Sequence, residues 1–200
     1  MRAVSVHRDA IVVTSLLWQT TATAIRSGDE AMLVDSPYFP DELELLPAVL
    51  EGGGFAPDAL LATHADFDHL LGRLAFPELA LGVAESTAVR IRSEPGAVQR
   101  ELREYDAEHY VERARPLSLG GVRALPVPGG LGLGAEELEL HPADGHTQDG
   151  MAVFAPWLGV LCCGDYLDAL EAGEERPRLP AGRSSPRQRQ IHADNLRPRE

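Results

Sequence analysis

Apolar and polar positions along the first third of the chain predict strands before helices. Residues 10–17 are apolar and β-branched, and residues 18–26 interleave threonines with apolar side chains, so both stretches read as strands. The turn Ser27-Gly28-Asp29-Glu30 leads into a third strand, 31–34, ending at Asp35. This part reads as an antiparallel meander. Residues 41–50 place Leu43, Leu46 and Leu50 on one helical face, and Gly52-Gly53-Gly54 ends that helix. Ala59-Leu60-Leu61-Ala62, bounded by Pro57 and Asp58, is short and wholly apolar and reads as a buried strand. Leu70, Leu71 and Leu74 then give helical spacing over 69–76.

The pattern continues with a short strand at 79–83 and helical periodicity over 85–92 and 97–115, interrupted by Pro95-Gly96. The second helix carries Glu and Arg three and four residues apart, which suits a solvated surface. Strands are expected at 122–127, 138–141, 151–154 and 158–163. The glycine-rich 129–134 reads as a loop; with no lysine and no helix start after it, it is not a phosphate cradle. This order of elements predicts an α/β fold. After residue 173 apolar residues nearly vanish and Pro, Arg, Ser and Gln dominate. The expected division is one domain over 1–172 and a disordered or aberrant tail over 173–200, with frameshift or truncation of a longer protein as one origin of that tail.

Composition narrows the function classes. Two hundred residues suit one domain with a substantial core. The net charge of −13 argues against nucleic-acid binding, which needs a basic surface. All 18 basic residues are arginine, which reads as a coding bias and not as function. No apolar run reaches membrane-spanning length and residues 1–9 lack a signal-peptide core, so a cytoplasmic location and no membrane partner are the expectation. The sequence leaves the oligomeric state open. Cys162 and Cys163 are adjacent in a strand-like run, where neighbours point to opposite faces; buried free thiols are expected, not a disulfide.

The chemistry concentrates in Thr63-His64-Ala65-Asp66-Phe67-Asp68-His69. Four potential metal ligands fall within six residues, in a loop between a buried strand and a helix, where open α/β sheets place their sites. Imidazole nitrogen and carboxylate oxygen are the usual non-thiolate ligands of zinc and similar ions. Asp66 and Asp68 as helix caps beside two ordinary loop histidines is the bland reading. It suits any one residue better than all four. Among the other histidines, His7 and His109 read as surface residues, His141 as structural or supporting, and His192 as part of the tail and not a ligand.

His64-x-Asp66-x-Asp68-His69 resembles the H-x-H-x-D-H motif of the metallo-β-lactamase-fold hydrolases, with Asp66 in place of the second His. Asp144-Gly145-His146-Thr147 resembles the G-H-T turn of that superfamily, and Cys163-Gly164-Asp165-Tyr166 its strand-end G-D. The resemblance covers about residues 10–168. It implies a four-layer αβ/βα sandwich whose C-terminal part is incomplete. It implies one ion on His64, His146 and Asp165 with Asp66 beside them, and a second on Asp68, His69 and Asp165. The last His of the family pattern is not found. Zinc is implied, as one or two ions, with manganese or iron as alternatives. The implied activity is hydrolysis of a thioester, ester or lactone by metal-bound hydroxide, as in the glyoxalase II-like members of the superfamily and in preference to a β-lactam, with Asp68 orienting the water and handling its proton. The alternative is a truncated, catalytically impaired metal-binding remnant of such a hydrolase.

Overall fold

Side chains buried on both faces of one sheet decide the architecture. The computed structural model describes residues 1–167 and 190–192. Strands β1 (Arg2–His7), β2 (Ala10–Thr14), β3 (Thr21–Ser27) and β4 (Glu30–Val34) form the expected antiparallel meander. From β4 the same sheet continues in parallel through β5 (Pro57–Leu61), β6 (Ala80–Ala84) and β7 (Val122–Leu125). Parallel neighbours need crossovers. These are α1 (Pro40–Gly52), α2 (Gly72–Ala75), and the pair α3 (Glu85–Ser93) and α4 (Ala97–Glu108). A second sheet holds β8 (Gly129–Leu133), β9 (Glu136–Pro142), β10 (Met151–Ala155), β11 (Val160–Cys162) and β12 (Gln190–His192), in the order β11-β10-β9-β8-β12.

The period of two along each strand sorts the side chains. Leu33, Leu60 and Ala62 face a core shared with Leu43, Leu46 and Leu50 of α1. Their neighbours Met32, Val34, Ala59 and Leu61 face a second core, shared with Leu131, Leu133, Leu140 and Val153 of the other sheet. Helices, sheet and sheet are thus three of the four expected layers, and these are the layers that the described residues form. Gly82 of β6 lets this packing close up: a Cβ there would stand 2.8 Å from a Leu61 methyl, which would have to shift.

Several boundaries differ from the sequence reading, each for a local reason. The stretch 129–134 is strand β8 over most of its length, not a loop. Leu131 and Leu133 alternate into the inter-sheet core, while a Cβ on Gly129 would stand 2.3 Å from the Pro126 carbonyl oxygen. Residues 15–20 form a hairpin connection, not strand, because Trp18 and Gln19 both adopt positive φ. Residues 2–7 are an edge strand, with His7 exposed. Helix α4 stops at Glu108, seven residues early, where Tyr110 turns to φ +54°. Arg113 then folds back onto Asp106 and the Tyr38 carbonyl. In place of one helix over 69–76 there is a 3₁₀ turn, Phe67–His69, and then the short α2. The tail expectation lies mostly outside the described residues, but the backbone of Gln190–His192 pairs in parallel with β8. Both cysteines are free and half-buried; burial pushes the Cys162 thiol up to about 12.

Candidate metal centre

The ligand loop leaves the C-terminal end of β5, the GHT turn joins β9 to β10, and Asp165 lies in the 3₁₀ turn, Gly164–Leu167, that follows β11. A hydrogen bond from Met151 N to Thr63 O, 2.7 Å, ties the two sheets together beside them. The six residues proposed from sequence meet here. One oxygen of Asp66 lies 3.4 Å from the Nε2 atoms of both His64 and His146. His69 Nε2 lies 3.3 Å from Asp165 and 3.5 Å from Asp68. Two sets come close enough to share an ion: His64, His146 and Asp165, with donor atoms within 4.8 Å of one another, and Asp68, His69 and Asp165, equally close. Neither Asp66 nor Asp68 caps the 3₁₀ turn: Asp66 sits at its N-cap position without a side-chain hydrogen bond to it.

The imidazoles are oriented from behind. Asp35, at the end of β4 with φ +59°, accepts the Thr63 N–H at 2.8 Å and the Thr63 hydroxyl at 2.9 Å. That hydroxyl has one proton and gives it to Asp35, so it accepts from His64 Nδ1–H, 3.1 Å away. His69 Nδ1 donates to the same carboxylate, at 3.1 Å. Both rings are therefore fixed with Nε2 turned into the site, which is how ligating histidines are held. Both Nε2 atoms are buried and have no hydrogen-bond partner. A buried polar atom left unpaired is costly, and a cation among three carboxylates removes the cost. The residues present fit a divalent metal.

The titration of these groups follows from the crowding. Burial pushes the Asp68 carboxyl up, assisted by Asp165 and opposed by His69 and His64. Burial works in the same direction on Asp66 and Asp165 but loses. His64 and Arg90 hold Asp66 well below the ordinary carboxylate range, and His69, His64 and His146 lower Asp165. For His69, burial favours the neutral ring, yet Asp35, Asp165 and Asp68 together raise it well above its ordinary value.

The superfamily profile of the metallo-beta-lactamases matches residues 16–200. The chain belongs to the metallo-beta-lactamase superfamily. No curated protein sequence matches it. Among solved structures it is similar to a metallo-beta-lactamase family protein from Thermus thermophilus, with 18% identity and TM-score 0.61 over 80% of this chain and 60% of that one. It is also similar to the class B3 di-zinc metallo-beta-lactamase LRA-12 from an Alaskan soil metagenome, with 17% identity and TM-score 0.56 over 78% and 57%. A third is the rubredoxin oxygen:oxidoreductase of the anaerobe Desulfovibrio gigas, with 13% identity and TM-score 0.53 over 81% and 40%. At these identities the likeness is one of fold. The chain spans about two fifths to three fifths of these three proteins. A shared fold that hosts a β-lactamase and an oxidoreductase does not fix the chemistry.

Among the described side chains, His7, His109 and His141 belong to neither donor set. His141 pairs with Glu139 at 3.0 Å on the surface, so it has no supporting role here. His109 stacks on Tyr105 with ring centroids 4.0 Å apart. His192 belongs to β12, and its side chain lies outside the described residues. Sequence reading missed four residues that shape the site: Asp35, Thr63, Arg90 and Asp149. An acid ending a buried strand was a readable sign for Asp35. Arg90 and Asp149 gave none, being 59 positions apart. Among the described residues no helix is long and apolar enough to cross a membrane.

Proposed function

We propose that this protein is a metal-dependent hydrolase of a small carbonyl substrate, a thioester, ester or lactone. The observation that carries the reading is the pair of buried, unpartnered Nε2 atoms of His64 and His69 facing Asp66, Asp68 and Asp165. His64, His146 and Asp165, with Asp66 beside them, would hold one ion; Asp68, His69 and Asp165 would hold another. Zinc suits mixed imidazole and carboxylate donors and is the metal of the class B3 relative; manganese or iron fit the same donors. Bound there, such an ion lowers the pKa of water toward ~7 and polarises a carbonyl oxygen.

The chain's own part is positioning and proton handling. Asp35 and Thr63 fix the imidazoles. Asp68, its carboxyl raised by burial, orients the attacking water and accepts its proton, then returns it to the leaving group. The cleft has a volume of about 640 Å³, and Trp18 and Phe67 line it together with the metal-site residues. Trp18 is 60% exposed, which leaves an apolar wall for the acyl or alcohol part of the substrate. The expected partners are thus a small molecule and no nucleic acid, and the expected location is the cytoplasm.

The test begins with elemental analysis of protein purified without chelator, followed by hydrolysis assays on thioesters, esters and lactones, with a β-lactam for comparison. Two equivalents of metal, and turnover abolished by chelation and restored by metal, are expected. Protein that takes up no metal even when it is supplied overturns the reading.

A further inference from the structure

The substitution of an anionic Asp66 for a neutral imidazole adds a charge to a site already rich in carboxylates, and the structure shows where that charge goes. Asp66 uses its two oxygens differently. Oδ2 faces His64 and His146, while Oδ1 accepts from Arg90 Nη2 at 2.8 Å. The second arm of the same guanidinium, Nη1, donates to Asp149 Oδ1 at 2.9 Å. Asp149 is buried. Its Oδ2 accepts the Ala65 N–H at 3.1 Å, and its carbonyl accepts the Thr87 hydroxyl at 2.7 Å. Arg90, in the last turn of α3, therefore bridges the ligand loop and the loop that carries His146. Among the described residues, no other arginine forms an ion pair with an acid of the site.

We propose that Arg90, braced by Asp149, is the metal-selectivity residue of this centre: it engages one oxygen of Asp66, offsets its charge and leaves the other as a single-oxygen donor beside His64 and His146. The inference rests on the reading that these residues hold an ion. A free carboxylate offers two hard oxygens and a full negative charge, which suits manganese and similar ions. A carboxylate engaged by a guanidinium fork offers one oxygen of reduced charge, closer to the imidazole it replaces. The Asp66 variant of the motif is then a compensated change, with the compensation drawn from a helix outside both ligand loops.

The test is a competition titration of zinc and manganese against a chelator, on the full chain and its variants, each checked for folding by circular dichroism. Arg90→Met should move the zinc-to-manganese affinity ratio toward manganese by about 10- to 100-fold, the range typical of residues that support metal ligands. A purely structural loss lowers both affinities together and leaves the ratio alone. Arg90→Lys, whose single ammonium cannot hold Asp66 and Asp149 at once, should shift the ratio the same way by less, and serves if the methionine variant does not fold. In an Asp66→His background, Arg90→Met should produce no shift. An unchanged ratio in Arg90→Met and Arg90→Lys, or a shift that persists with His at position 66, overturns the inference while leaving the metal centre standing. Absence of any bound metal in the unmodified protein overturns both.

Discussion

The two sides of the candidate centre are built differently. On the first sheet, His64 and His69 are buried, and their Nδ1 atoms are fixed by Thr63 and Asp35. On the second sheet, the His146 side chain is 38% exposed, and its close contacts are with Asp66, Asp165 and the edge of the His64 ring. One side is pre-organised by the core beneath it. The other is brought to the centre through the Arg90 and Asp149 bridge and completed by the charges that meet there. On the proposed reading, the first sheet would set the geometry and the second the number of ions held.

Removing ligands from each side tests this most strongly. Asp165 belongs to both sets of donors, so Asp165→Ala should abolish metal content. His146→Ala should remove only the ion it shares with His64, taking content from two equivalents toward one. His64→Ala should cost more metal than His146→Ala, since it also removes a buried ring from the pre-organised side. Elemental analysis reads all three; equal loss in the histidine variants with one full ion retained would remove the asymmetry, and unchanged content in Asp165→Ala would remove the shared site.

A second, smaller effect is expected where the two sides touch. Gly164 has φ +53°, and a Cβ there would stand 2.4 Å from Thr63 Oγ1, the atom that orients His64. Gly164→Ala should lower stability by about 1–3 kcal/mol, read by thermal unfolding of the metal-free protein, because it adds a clash to a left-handed backbone. It should also weaken metal binding by displacing its neighbour Asp165. Full stability with weakened binding would show that the clash is relieved on the second side alone, which sharpens the contrast.

The same asymmetry governed what could be read from sequence. The ligand loop was legible because four donors fall within six residues after a buried strand, and the burial of β5 because its run is short and wholly apolar; that the two faces of β4 and β5 serve two separate cores was not, since both strands are apolar at successive positions. The glycine-rich β8 was not, since its strand character comes from pairing with β9 and from Leu131 and Leu133 reaching a core built by distant residues. Arg90 lay in a helix read only as periodic, and its role exists because the fold brings Asp66 and Asp149 to either side of it. Local pattern exposes donors close in sequence; it is silent on partners that only the tertiary structure assembles.

The smallest effect tests whether the pre-organised side owes its rigidity to anchoring away from the centre. Glu42, in the first turn of α1, accepts from the Ser15 hydroxyl at 2.6 Å and from the backbone N–H groups of Leu16 and Phe39. It pins the helix to the hairpin connection that carries Trp18. Burial alone would raise its pKa, but these donors win and lower it. A carboxyl with a lower pKa in the folded than in the unfolded state adds stability above its unfolded value, and loses it as pH falls through the folded value. The contribution should therefore be complete at neutral pH and fade below about pH 4.3, the ordinary glutamate value. Glu42→Gln should cost on the order of 1 kcal/mol at pH 7 and flatten the acid limb of the stability profile of the metal-free protein. If the variant retains the full acid slope, the titration belongs to other carboxylates, and the rigidity of the first side must come from the Asp35 and Thr63 contacts and the core beneath them.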